Sequence, residues 1–209
     1  VFTDDKRTDR MAILHHLRQQ TPKPNDEDPN YCLADFIAPT GHNDYIGGFA
    51  VTAGNEIEHL LSDYDDDYSK IMIQALADRL AEASAEAIHK HIRTKAWGYS
   101  ENEALDYESL IKEKYQGIRP APGYPACPEH SEKESLFKIL EVTRKTGITL
   151  TENYAMSPAA SVSGWCFSHP DSKYFGVGKL NGDQVEDYAN RKGLELFEAE
   201  QLLQPNLNF

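Results

Sequence analysis

The sequence predicts an α+β fold, an antiparallel sheet with several helices including one long buried helix. Three observations predict it. Short β-forming runs fall into an early and a late group around a helical middle, so strands and helices do not alternate as a doubly wound parallel sheet requires. One stretch, from about Asp67 to Trp97, carries helical periodicity throughout. The Gly-rich dinucleotide fingerprint and the P-loop are both missing.

The elements follow in order. Met11, Ile13, Leu14 and Leu17 form an apolar stripe that predicts a helix over residues 5–20, stopped by Pro22 and Pro24. Residues 23–30 are polar and read as a surface loop. Residues 31–38 and 45–53 read as two strands, paired with each other across Pro39, Gly41 and Asn43. Asp65, Asp66 and Asp67 then open the long helix, where carboxylates suit the positive end of the helix dipole. On its wheel, Met72, Leu76, Leu80, Ala83 and Ala87 form one apolar face and Ala77, Ala81, Ala85 and Ile88 a second, which predicts burial on two sides. The remaining stripe carries Asp78, Arg79, Glu82, Glu86, His89, Lys90 and Arg93.

A shorter helix is expected over residues 101–115. Ser131 and Glu134 have the spacing of a capping box, opening a helix that Gly147 ends. Residues 148–156, 162–167 and 173–178 alternate apolar and polar side chains and read as strands, and residues 183–192 and 195–203 as closing helices. One domain is expected at this length.

Composition narrows the partners. A formal net charge of -13 opposes nucleic acid and anionic membranes, because phosphates are met by clustered Lys and Arg. With 40 % hydrophobic residues and a mean hydropathy of -0.61, the chain offers no apolar run near the roughly 20 residues that cross a bilayer. Cys32, Cys127 and Cys166 are odd in number and widely spaced, which suits a cytoplasmic protein better than a disulfide framework. Val1 in place of Met, followed by charged residues at Asp4 to Arg7, predicts a piece of a longer protein with no signal peptide.

The candidate site is the stretch Arg119 to His130, with prolines at 120, 122, 125 and 128. Fixed φ angles and missing amide donors exclude a helix or a central strand, so the segment reads as a rigid loop that holds side chains and carbonyls in place. Cys127 and His130 invite a thiolate–base or metal reading, but Pro128 stiffens the loop between them and no orienting third residue is evident. His15 and His16, adjacent on an expected helix, diverge by about 100° and cannot readily share an ion. Structural roles are expected for all four.

Arg119-Pro120-Ala121-Pro122-Gly123-Tyr124-Pro125 resembles the Arg-x-x-x-Gly-Tyr segment of the C-terminal activation domain of cobalamin-dependent methionine synthase. Further blocks resemble that family in the same order: 15–20, 31–36, 70–83, 161–165 and 187–189. The resemblance implies an S-adenosylmethionine site. Arg119 would meet the ligand carboxylate, which a planar guanidinium binds in bidentate fashion. Ala121 belongs to the same binding segment, Gly123 would let backbone approach the ligand, and Tyr124 would offer a ring face to the sulfonium. Glu82 would take the amino group, with Asp78 one turn earlier lining the cleft or facing another module. Tyr174 and Phe175 match a late aromatic pair that meets the adenosyl part, Tyr174 pointing inward and Phe175 serving the core or lending backbone.

What the resemblance implies for function is reductive reactivation. S-adenosylmethionine would methylate cobalamin held by a neighbouring module, after flavodoxin or a similar donor reduces cob(II)alamin. No residue of this chain would act as an acid, base or nucleophile, and no metal site is implied. The isolated domain would be inactive alone, the family's domain would begin upstream of Val1, and Lys133, Lys138, Arg144 and Lys145 would form a basic patch for an acidic electron donor. Two alternatives stand beside this one: an interaction module that grips a protein with the proline loop, and a metal-dependent hydrolase using Cys127, His130 and acids from the long helix.

Overall fold

A computed structural model describes residues 1–25 and 27–209; Asp26, within the predicted surface loop, lies outside the described residues. The α+β class holds. The central sheet pairs β1 (Gly47–Thr52) with β4 (Ser161–Cys166), antiparallel, in a register that sets Gly47 opposite Cys166 and Thr52 opposite Ser161. The single strand predicted over residues 148–156 is instead a hairpin, β2 (Thr149–Leu150) paired antiparallel with β3 (Met156–Ser157), because the chain turns between them, with the Tyr154 amide donating to the Thr151 carbonyl and the Thr151 amide to the Ala155 carbonyl.

The long helix is α2 (Asp67–His91), which follows a short α1 (Ile57–Ser62) and passes into a π-helical turn over Ile92–Ala96. Its start is set by Asp66, whose carboxylate accepts a hydrogen bond from the Ser69 amide at 2.8 Å. Ala77, Ala81, Ala85 and His89, spaced i, i+4, are its buried residues. Small side chains let the helix lie close on the sheet, where Ala85 packs with Phe49 and Cys166. The other predicted face is in water: Met72, Leu76 and Leu80 are 43, 56 and 60 % exposed, and Tyr68 and Ile71 extend the row. A sheet of two strands covers one side of a helix, so burial on two sides does not occur among the described residues.

The remaining helices are α3 (Tyr107–Ile111), α4 (Glu132–Leu140), α5 (Val142–Thr146), α6 (Gly182–Lys192) and α7 (Leu196–Leu202). The last two match expectation, and Gly147 does end α5 with φ +79°. The helix expected over 101–115 shrinks to α3, capped by Asp106. α4 and α5 are separated at Glu141, which takes a left-handed φ of +54°.

Other expectations fail for reasons at long range. Residues 5–20 are not helical: Phe2 bridges Arg10, the Gln19 amide donates to the Tyr31 carbonyl at 2.9 Å, and Leu17 and Gln19 are buried while Arg18 and Gln20 are exposed. That is a two-residue alternation, extended chain held by distant partners. Residues 31–38 are not a strand but carry a 3-10 turn at Leu33–Phe36, whose Asp35 accepts from the Cys32 amide and pairs with Arg18. Residues 173–178 run outside the sheets. The Ser131 capping box does not form, because that hydroxyl donates to Glu129 at 2.8 Å instead.

The core has three parts. Leu33, Phe36, Ile118, Leu136, Ile148, Trp165 and Phe167 pack beneath the sheet; Val177, Leu180, Val185, Tyr188 and Leu203 join α6 and α7; and α2 meets the sheet's other side. No described helix is long and apolar enough to cross a membrane.

Candidate functional site

The proline loop leaves the sheet as an extension of it. The Ile118 and Phe167 backbones exchange hydrogen bonds at 3.1 and 3.0 Å, and the Trp165 amide donates to the Pro120 carbonyl at 2.9 Å. Close approach is possible because β4 carries Gly164 here; a Cβ at that position would lie 3.0 Å from the Pro120 oxygen. Beyond Pro120 the chain is irregular, as its prolines dictate, and it is pinned by short bonds: Gly123 N–H to Cys127 O at 2.7 Å, Cys127 N–H to Tyr124 O at 2.9 Å and Val177 N–H to Pro125 O at 2.8 Å. Gly123 holds φ +94°, and a Cβ there would sit 2.4 Å from the His130 ring. Both facts demand glycine.

The loop separates the predicted residues into two neighbouring groups. Glu82, Ala121 and Tyr124 line a cavity of about 220 Å³ together with Pro122, His130 and Lys133 and a wall from Asn153 to Ser163. Tyr124 is 61 % exposed, so its ring is available to a ligand. Arg119 and Tyr174 form the second group, joined by a 3.0 Å bond from the Arg119 amide to the Tyr174 hydroxyl. Tyr174 is 43 % exposed, whereas Phe175 packs against Tyr31 and Phe36 in the core. Asp78 is exposed and outside the cavity lining. A larger cavity, about 700 Å³ between the first residues and the Pro39–Ile46 loop, contains none of the predicted residues.

Arg119 has partners the sequence did not single out. Its Nη1 donates to the Tyr115 hydroxyl at 2.7 Å, lies 3.4 Å from His89 Nδ1 and pairs with Glu86 Oε2 at 2.9 Å. Burial opposes its charge, but Tyr115, Glu86 and Tyr174 more than offset this and hold its pKa above the ordinary arginine value. The same burial, reinforced by Arg93 and Arg119, pulls His89 down to about 3, so that ring is neutral and accepts from Arg119. Tyr115 is pushed up to about 12, mainly by burial, and remains a donor-bearing phenol. Glu86 stood in the polar stripe of the long helix one turn beyond Glu82, and that spacing was the signal available for it.

The other end of the loop is anchored differently. Glu129, 1 % exposed, accepts from the Ser131 amide at 2.6 Å, the Ser131 hydroxyl at 2.8 Å, the Tyr188 hydroxyl at 3.0 Å and the Lys192 ammonium. Lys192 also donates to Glu132 at 2.8 Å, and Glu132 in turn holds the His15 amide and ring. Burial alone would raise Glu129, yet Lys192 and the Ser131 donors bring it below the usual carboxylate range. Cys127 is buried and its thiol is pushed up, chiefly by burial and then by Glu132 and Glu129, which makes it a poor thiolate. His130 is pulled down by burial and by Lys133, whose ammonium lies 2.9 Å from its Nδ1. Of the expected basic patch, Lys133 is buried, whereas Lys138, Arg144 and Lys145 are exposed, the last two sharing the Glu141 carboxylate.

The family model for the vitamin B12 dependent methionine synthase activation domain matches residues 1–193. The chain belongs to that family. This activation domain superposes over 100 % of its length, at 56 % identity and a TM-score of 0.96, on a crystal structure of the MetH reactivation domain bound to AdoHcy. It spans 65 % of that structure's chain.

Proposed function

We propose that this activation domain binds S-adenosylmethionine along the Arg119–Tyr124 loop and presents its methyl group for reactivation of methionine synthase. The observation that carries the reading is the match over the whole chain to a reactivation domain bound to AdoHcy, combined with a proline-stiffened loop whose cavity gathers Glu82, Ala121 and Tyr124. The residues fit the ligand. Among the described residues, the contacts to the Arg119 guanidinium use Nη1, leaving Nη2 and Nε for a carboxylate. Tyr124 offers a π face that attracts a sulfonium without attacking it. Gly123 keeps the loop backbone clear of any side chain, and Tyr174 supplies an exposed ring for the adenosyl end.

Cobalamin, carried by another module, would supply the methyl acceptor, and flavodoxin or a similar protein would supply the electron. This chain's residues bind and orient; they hold carboxylate, sulfonium and ring so that the methyl carbon faces outward, an alignment effect that requires no proton transfer. The raised thiol of Cys127 and the lowered, Lys133-bound His130 agree with that division of labour. The exposed row from Tyr68 to Leu80 on α2 favours, in addition, a contact face for another polypeptide.

Calorimetry tests the ligand site. The chain should give heat with S-adenosylmethionine, and Arg119→Ala should weaken binding about 30-fold or more, as expected when one partner of a charge-assisted pair is lost. No heat from the unsubstituted chain overturns the reading for this chain.

A further inference from the structure

The outer face of α2 has no partner among the described residues. Ala77, Ala81, Ala85 and His89 are buried on the side toward the sheet, and at about 3.6 residues per turn Met72, Leu76, Leu80, Ala83 and Ala87 fall on the opposite side. All five are exposed, and Tyr68 and Ile71, 74 and 64 % exposed, extend the row. Apolar side chains repeated every few residues along about 20 Å of helix form a ridge that fits a second helix, with Ala83 and Ala87 small enough for close approach. A contiguous apolar row of this size marks an interface. The sheet under α2 is open too: among the described residues β1 pairs with β4 alone, which leaves its second edge free for another strand.

Length, chain path and charge together point to the occupant. The reactivation-domain structure on which this chain superposes is longer, and roughly a third of it lies outside the match, since the chain spans 65 % of it. Val1 donates its ammonium to the Ala12 carbonyl at 2.8 Å and lines the large cavity together with Ile46. The next residue, Gly47, lies against Trp97, where the π-helical turn after α2 stops; a Cβ on Gly47 would be 3.4 Å from that ring. Polypeptide joined ahead of Val1 therefore enters near the C-terminal end of α2. A second copy of this chain is a poorer occupant, because a net charge of -13 on each copy opposes self-association. We infer that a helical segment of the same activation domain, joined ahead of Val1, lies along Tyr68 to Ala87 and makes α2 an inner layer of the whole domain. The inference rests on the contact face proposed above and names what meets it. α2 also gives Glu82 to the wall of the candidate cavity, so the covering segment would hold that wall from behind.

Thiol labelling tests it, because the three native cysteines of the chain are buried. Leu76→Cys and the nearly isosteric Ala83→Cys are compared with Gln201→Cys, an exposed position on α7, by mass spectrometry after timed exposure to a maleimide. In the 209-residue chain the three thiols should react within about 3-fold of one another, whereas in the complete activation domain the two on α2 should react about 30-fold slower or more, since a packed site reacts only when it opens. Fast α2 thiols in the complete domain that become slow only in whole methionine synthase would assign the face to another module, overturning the inference while leaving the contact face. Rates that fall as the 209-residue chain is concentrated would assign it to a second copy and overturn the inference as well. Fast labelling of the α2 thiols at every chain length would remove the contact face itself.

Discussion

The two ends of the proline loop each carry a charged cluster, and the clusters differ in one respect. At the Glu129 end the polar groups are paired: Glu129 receives four hydrogen bonds, and the half-buried Lys192 bridges it to Glu132. At the Arg119 end the pairing is partial. Among the described residues, Glu86 Oε1 and His89 Nε2 have no hydrogen-bond partner, and Arg119 keeps one edge free. A satisfied buried network fixes geometry, whereas a partly satisfied one at a surface is a place for a ligand. The comparison separates the residues that brace the loop from those proposed to bind with it.

Substitutions should separate the ends in the same way. Lys192→Met is expected to have the largest effect, about 3–5 kcal/mol of stability by urea unfolding, since it strands Glu129 and Glu132 as buried charges. Arg119→Ala should cost less than about 1 kcal/mol in the same assay while destroying ligand affinity, because Glu86 can turn toward water. Equal losses from the two would erase the distinction.

Acid should act next. The folded His89 pKa, about 3, lies below its unfolded value, so its contribution is present above pH 6.5 and is lost as pH falls toward 3. By pH 4 that loss amounts to about 3 kcal/mol. Glu129, also depressed when folded, adds to the loss below about pH 4.5. A flat stability profile between pH 7 and pH 4 would contradict the neutral, arginine-flanked His89. Gly123→Ala should cost about 1–3 kcal/mol of stability, from a positive φ and the clash with His130, with ligand affinity falling alongside. Unchanged affinity would place the loop tip outside the binding surface.

How much of this was legible in the sequence depends on how far each residue's partners lie. The α2 start, β4, α6 and α7 follow from local caps and periodicity, and the chain placed them within a residue or two. Residues 5–20 carry a stripe that fits a helix equally well, and what decides them is contact with Tyr31, Glu132 and Arg191. Ser131 and Glu134 have capping-box spacing, yet Glu129, two residues earlier, took the hydroxyl. In the site, the loop's rigidity was visible in its prolines, but Tyr174 came only through family resemblance. Glu86, Tyr115 and His89 needed the fold, because their roles exist only where α2 passes Arg119.

Lys192 reaches back 63 residues to Glu129, and that span has a consequence for assembly. The loop cannot take its final shape when its own residues are made, because the cation that neutralises its far end belongs to α6. Contacts of such separation form after local ones, since a long loop must close before they are rewarded. The proposed binding surface should therefore be among the last parts of the chain to become ordered, and a nascent chain cut before Lys192 would carry every predicted ligand residue without the brace that sets them.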